Sequence, residues 1–477
     1  MRFPPPPPVG RVAAATPPSR DRALDLIRAG ALAVVVLGHS SMGVIGWTDG
    51  GPVLSTALAA YHPWASWATW LLQIMPLFFV AGGAANARSW AATPLRYAPW
   101  LWRRVERLMR PVWVYLLVMA PLSGIVSALV PQEWAAPLLQ LATQLLWFIG
   151  VYVVVCALTP VLVRAFDTHP ALAPVVGLAV VAGVDWLRFG VGIAPLGLLN
   201  FVIVWGLAAY LGLVLDAGLL RGWRGIGLSA AAVGCNLALT GLGPYPLSMV
   251  GGSPGERFSN MAPPSLALAL HAVALAGLAG AAVPALRRLA HRPAVWRAST
   301  AVNLTAMTLY LWHLPVLIAM VAISHLLGLD RPVTWDPDGL PEPGPGYWLW
   351  SVLFLAVFLV LVAGVVRLAW PAEVGPLPGW DRPARTVPGR SSPGSEPGRA
   401  ALAATGSVLI GIGTLMISST GLTGFPTRIS TFAGVPLNPL AAILLTLAGG
   451  LLARRAGAAK PTTTPPSQTR SSNQTLP

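Results

Sequence analysis

The sequence predicts an all-α polytopic membrane protein, and three observations carry that prediction. Hydrophobic residues make up 55% of the 477-residue chain against 10% charged, and the mean hydropathy is +0.66. Apolar runs of about 18 residues, the length that crosses a bilayer as a helix, recur along the whole chain. Cations are concentrated in alternate connections, as the positive-inside rule requires of a multi-pass protein. The alternating strands of a closed barrel, the other spanning solution, are not found.

Twelve spans are expected, at about 26–45, 66–87, 112–130, 138–162, 172–187, 196–215, 226–243, 263–284, 300–326, 347–369, 400–419 and 433–453. The first begins in RALDLIRAGALAVVVLGH, residues 22–39. Arg28 and His39 are eleven positions apart there, roughly three helical turns and about 16 Å of rise, so both lie on one stripe of one helix. An ionisable residue held at membrane depth is by default a functional candidate. No small-residue cleavage site follows this helix, so it is expected to be retained rather than removed as a signal peptide. Span two carries Met75-Pro76-Leu77-Phe78-Phe79 and Gly82-Gly83, which predict a kink and a close helix approach.

With the N-terminus inside, 27 of the 31 cationic residues fall on the inner side, while the acids divide 8 to 8. Arg188, Arg257, Arg331 and Arg428 are the four cations left outside. Both termini are therefore expected in the cytosol, with the chain integral to the plasma membrane. Topology and anionic inner-leaflet lipid suffice to explain the net charge of +15, and no nucleic-acid partner is expected.

Residues 1–20, with five consecutive prolines, read as a disordered cytosolic arm. Residues 371–399, rich in Pro, Gly, Ser and Arg, read as a cytosolic linker. Two further helices within 400–453 and a polar disordered tail at 454–477 complete the chain. The outer loop GLGPYPLSMVGGSPGERFSNMAPP is long for a helix connection and reads equally as functional or as plain connector. Cys156 and Cys235 lie in spans without metal-ligand spacing, so they are expected to pack and no metal site is expected.

Each candidate for chemistry has a structural alternative. A neutral His39 offers one donor and one acceptor and can take a proton near pH 7; alternatively it hydrogen-bonds a neighbouring helix for packing. Asp25 is spaced for a local ion pair with Arg28, which in the bland reading anchors a helix end. Arg103, Arg104, Arg107 and Arg110 precede span three, and arginine forks suit phosphate oxygens, although inner loops are arginine-rich in any case. Asn303, Tyr310 and His313 in span nine share a stripe expected to face the bundle interior, and Trp147 in span four is a further pocket candidate or an apolar packer.

These positions resemble the acyltransferase-3 family of integral membrane acyltransferases. The resemblance runs over roughly residues 20–370. Its landmarks are Arg28-x10-His39 behind Leu24-Asp25, PLFFVAGG in span two, Arg104-x-x-Arg107, LLWFIG around Trp147 and TLYLWHLP around His313. It implies a ten-helix acyltransferase core over 21–370, with the last two helices additional to it. It also implies transfer of an acetyl or short acyl group from cytosolic acyl-CoA, the donor substrate. The implied acceptor is a hydroxyl or amine of a membrane-associated or exported glycan, lipid or secondary metabolite of the cell envelope, so that O-acetylation is the expected outcome. Arg104 and Arg107, with Arg103 and Arg110, would hold the CoA phosphates. His39 would act as general base or acyl carrier, and Arg28 would stabilise negative charge or hold the donor. A secondary transporter is the competing class, but internal repeats and intramembrane carboxylates, its usual marks, are scarce.

Overall fold

The computed structural model describes residues 8–17, 20–55, 63–93, 97–251, 258–375, 396–432 and 435–458. Twelve helical segments among them are long and apolar enough to cross a membrane, one for each expected span. Ahead of them, α1 (Val9–Ala14) is a short helix inside the N-terminal arm, and Trp296 Nε1 donates to its Ala13 carbonyl at 3.1 Å. That part of the arm is thus ordered by an aromatic contact, which a proline-rich composition does not reveal. Most of the 371–399 linker and of the polar tail, together with Arg257, lies outside the described residues.

Helix α2 (Arg22–Met42) holds Arg28 and His39 on one unbroken rod, and its N-cap is Asp21, whose side chain accepts from the amides of Ala23 and Leu24. An antiparallel hairpin follows, β1 (Val44–Thr48) with β2 (Gly51–Ser55). Span two is two helices, α3 (Pro63–Leu72) and α4 (Met75–Ala91). The chain breaks at Gln73–Ile74, so Pro76 stands in the first turn of a new helix, where its missing N–H costs nothing. His271 Nε2 lies 3.1 Å from the freed Gln73 carbonyl, while the Gln73 side chain donates to Met249 O at 2.8 Å. The long loop that contains Met249 is thereby docked onto the break through its described residues, with Thr69 and Trp70 also bonded to its backbone.

Helix α5 (Tyr97–Leu129) carries the arginine run, and α6 (Gln132–Thr143) and α7 (Leu146–Thr168) together make span four. Helices α8 (Leu172–Phe189), α9 (Gly197–Asp216), α10 (Trp223–Leu242) and α11 (Leu266–Ala290) follow. The expected close approach at Gly82-Gly83 is present: a Cβ on Gly83 would stand 2.0 Å from the Ala209 carbonyl oxygen of α9. Span nine is also broken, at Thr305, between α12 (Pro293–Leu304) and α13 (Ala306–Leu326). A hairpin, β3 (Val333–Trp335) with β4 (Pro341–Pro343), then leads to α14 (Tyr347–Val374).

Between the last two helices, α15 (Glu396–Thr420) and α16 (Pro439–Gly457), lie the paired strands β5 (Ser430–Phe432) and β6 (Val435–Leu437). The two helices pack against the other ten through small residues, which replace a hydrophobic driving force inside lipid. A Cβ on either Gly406 or Gly449 would lie 2.6 Å from the other glycine's carbonyl oxygen. On the core side, Gly150 of α7 faces Thr414 and Gly411, and Gly457 faces Trp102 of α5. The helices at both ends of the linker are longer than its composition suggests, since α14 runs to Val374 and α15 starts at Glu396.

Three buried carboxylates qualify the scarcity expected of the spans. Asp25 sits near the start of α2 at 4% exposure, Asp185 inside α8 at 1%, and Glu373 is buried at the C-terminal end of α14. Asp185 accepts from Arg188, Asn200, Tyr245 and the Leu266 amide, and Glu373 accepts from Thr308 and Trp312. The acceptor capacity of these last two is therefore spent on tying helices together, which the sequence, lacking the partners, does not show.

Candidate active site

Helix α2 lies beside α13, and this places His39 against His313. His39 Nδ1 is 2.9 Å from His313 Nε2, and the rings are nearly parallel, with centroids 5.2 Å apart and planes within 11°. His313 is fully buried, whereas His39 is half-buried. The second nitrogen of His313, Nδ1, is 3.0 Å from the Leu309 carbonyl, one turn back on its own helix.

These partners determine the tautomers. A carbonyl can only accept, so His313 Nδ1 carries the proton and its Nε2 presents a lone pair. His39 Nδ1 must then be the donor across the 2.9 Å contact. The remaining nitrogen of His39, Nε2, is left as a lone pair with no protein partner among the described residues. A neutral histidine with Nε2 free and Nδ1 anchored is the arrangement a general base or nucleophile needs.

Tyr310, one turn before His313, donates its hydroxyl to the Leu145 carbonyl at 3.0 Å. Leu145 lies in the break between α6 and α7 as the N-cap of α7, and its carbonyl also accepts from the Phe148 amide at 3.2 Å. The neighbouring Gln144 carbonyl accepts from Ser418 of α15. This break is thus closed from two sides, by the histidine-bearing helix and by the C-terminal pair. Directly after it comes Trp147, within 5.4 to 6.1 Å of Trp205, Phe201 and Phe148 between ring centroids. Phe148 contacts Tyr310 at 5.2 Å, and Tyr310 contacts His313 at 6.2 Å, so an aromatic chain runs from Trp147 to the histidine pair.

Arg28 belongs to a second group, nearer the N-terminal end of α2. Its Nη2 donates to the Ala81 carbonyl of α4 at 3.1 Å, and its Nη1 is 3.9 Å from Asp25. Asp25 makes its closer ion pair with Arg20. The charged neighbours of Arg107 are Arg104, Arg28 and Arg20. Arg104 leans on the Trp100 ring and donates to the Ala85 carbonyl at 3.3 Å, while Arg107 keeps an exposed side chain. Arg20 and Arg28 thus share the Asp25 carboxylate, while Arg107 has only other guanidiniums as charged neighbours.

Not all the expected residues join these groups. Arg103 is exposed, and Arg110 donates to the Val374 and Gly375 carbonyls, capping α14. Asn303 lies on α12, before the Thr305 break, so it does not share a helical stripe with Tyr310 and His313; it bonds the Asp25 carbonyl at 2.9 Å instead. The residues that sequence reasoning missed are Ser418, which acts across 274 positions on a backbone carbonyl, and Glu373, a lone acid just past an apolar run. The spacing of the chain carries no signal for the first and a weak one for the second.

No curated protein and no solved structure matches the chain. The acyltransferase domain model of the acyltransferase-3 family matches residues 21–370, which include both histidines and Arg28, Arg104 and Arg107 of the second group, but not Arg20. With twelve apolar helices and that match over most of its length, the chain belongs to the acyltransferase-3 family and is an integral membrane acyltransferase, a transferase of groups other than aminoacyl groups.

Proposed function

We propose that the protein transfers an acetyl or short acyl group from cytosolic acyl-CoA to a hydroxyl or amine of a cell-envelope glycan, lipid or secondary metabolite presented at the outer face. The observation that carries the reading is the free Nε2 of His39, held by the His39–His313 contact of 2.9 Å. Arg104, Arg107 and Arg28 grip the CoA phosphates at the inner side, where their forks suit phosphate oxygens. Arg28 is about 16 Å of helix rise from His39, a span that an extended pantetheine arm covers. Both termini are then cytosolic and the enzyme resides in the plasma membrane.

In the transfer step, His39 Nε2 takes the proton of the acceptor hydroxyl as its oxygen attacks the thioester carbonyl. The tetrahedral adduct collapses with breakage of the C–S bond, and the imidazolium returns its proton to the departing thiolate. His313 Nε2 accepts from His39 Nδ1–H throughout and is best placed to stabilise the transient imidazolium. If His39 instead carries the acyl group, the same Nε2 lone pair attacks the thioester first.

Single-turnover transfer from labelled acyl-CoA tests the reading, with thermal stability measured in the same detergent. His39→Ala is expected to abolish transfer at near-parental stability. Substantial turnover in that variant refutes the assignment. A labelled protein adduct formed without acceptor separates the carrier route from the base route.

A further inference from the structure

The outer face holds few cations, and the described ones differ in how their charge is met. Arg188 pairs with Asp185 at 3.0 Å, and Arg428 donates to the Gln132 side chain. Arg331, between α13 and β3, has neither kind of partner. It is 9% exposed, and no carboxylate among the described residues lies within ion-pair distance of it. Its Nη1 is shielded from solvent and bonds no acceptor there. The nearest acid in sequence, Asp330, is engaged with His325 at 2.8 Å.

What surrounds Arg331 is aromatic. Its guanidinium carbon stands 4.5 Å from the Phe354 ring centroid and 5.2 Å from that of Tyr347. Ring faces return part of the lost hydration, but they are not a counter-ion. A buried fork held against two rings, with no ion-pair partner among the described residues, is preorganised for a planar or tetrahedral anion. Its position connects it to the catalytic histidine. The Tyr347 hydroxyl donates to the Gly43 carbonyl at 3.2 Å, and Gly43 caps α2 one turn beyond His39.

We infer that Arg331 binds a single anionic group, carboxylate or phosphate, on the acceptor, and so orients the acceptor over His39 from the outer side. The inference rests on the acyl-transfer reading for the acceptor's role, although the anion site itself does not need that chemistry. A neutral acceptor of the same size lacks the group that Arg331 requires. Specificity thus arises from a cost already built into the free protein, which only an anionic partner offsets.

The test uses the full-length protein in detergent without acyl donor, with sodium glucuronate, glucose 1-phosphate and glucose as probes and Tm as the readout. At least one anion is expected to raise the parental Tm saturably by a few degrees, with glucose inert. The two anions distinguish a carboxylate from a phosphate site. Arg331→Met removes an unpaired buried charge, so it should match or exceed the parental Tm without ligand while losing the anion shift. Since the inner arginines are common to both proteins, the difference reports Arg331. If Arg331→Met is too unstable to purify, Arg331→Lys decides, with binding of the anion expected at least about tenfold weaker because the fork is lost. A full parental shift in the purified variant, or no anion shift in the parent, overturns the inference. His39→Ala should keep the shift, so loss of acyl transfer and loss of the anion site are read separately.

Discussion

His39 and His313 lie 274 positions apart in the chain and 2.9 Å apart in space, with the Nδ1–H of the first directed at the Nε2 lone pair of the second. The Leu309 carbonyl at 3.0 Å from His313 Nδ1 sets the direction of that bond, and hence the tautomer of His39. His313 is on this account a positioning residue. Removing one buried hydrogen bond costs about 1–3 kcal/mol, so His313→Leu should lower turnover roughly 5- to 150-fold. His313→Gln should restore part of it, because its amide oxygen can accept from His39 Nδ1. His39→Ala should cost more than about a hundredfold. Equal turnover in the Leu and Gln variants would remove the hydrogen bond from the explanation.

Arg104 and Arg107 make a separate prediction about the donor. Replacing both with Gln should weaken acyl-CoA affinity more than about tenfold, since each charge-assisted contact is worth roughly 1.5–3 kcal/mol. The difference from the parent should shrink at high salt. Arg28→Lys keeps the charge but loses the fork, so a large fall in affinity would indicate bidentate contact. Calorimetric titration with CoA checks all three, and unchanged affinity leaves these arginines a topological role alone.

Helix packing at the C-terminal pair is testable through Gly449. Its substitution by Val puts a Cβ 2.6 Å from the Gly406 carbonyl oxygen, so stability should fall by about 1–3 kcal/mol or more. Gly364→Val is the control, because nothing lies within 4 Å of that Cβ. Thermal unfolding in one detergent compares the two, and a control as unstable as Gly449→Val would remove the packing argument.

Asp21 predicts an acid-sensitive inner end. Burial by itself would push its carboxyl up, but Arg88 and Arg287 overcome this and hold it below its ordinary value of 3.8. A depressed carboxyl stabilises the folded state above its unfolded value, and that contribution is lost as the pH falls through the lower, folded value. Asp21→Asn should therefore be less stable than the parent at pH 7, and the gap should close below about pH 4. Tm measured for both proteins between pH 7 and pH 3 reads the gap directly, and a gap independent of pH would assign the effect to the N-cap alone.

The arginine distribution predicts that the connection after α14 is cytosolic. A reporter that is active only outside the cytosol, fused after residue 395, should be silent there and active when fused in the β3–β4 connection. The opposite pattern would overturn the topology.

Much of this architecture is legible in the sequence because a bilayer imposes a local rule. Every spanning backbone must satisfy its own hydrogen bonds, so length and apolarity alone identify twelve helices, and the eleven-residue spacing puts Arg28 and His39 on one of them. Composition likewise reveals the close approach at Gly82-Gly83, since only small residues let two backbones come that near. The breaks are harder to read. Pro76 marks one of them, displaced by a few residues, but Gln144–Leu145 and Thr305 carry no local punctuation and are stabilised by partners from distant helices, Trp370 of α14 donating to the Leu304 carbonyl beside the second.

What only the tertiary structure decides is which polar groups meet. The sequence by itself determines a multi-pass helical protein with a histidine at depth and an arginine-rich inner surface. It does not determine that His313 faces His39 while Asn303, on the far side of a helix break, faces Asp25. It does not show that Arg110 caps a helix while Arg107 joins Arg28, or that Arg331 lies against two rings with no counter-ion among the described residues. The physical reason is that apolar periodicity is a property of one helix and its solvent. A hydrogen bond between helices depends instead on the rotation and depth of two helices at once, which packing alone sets.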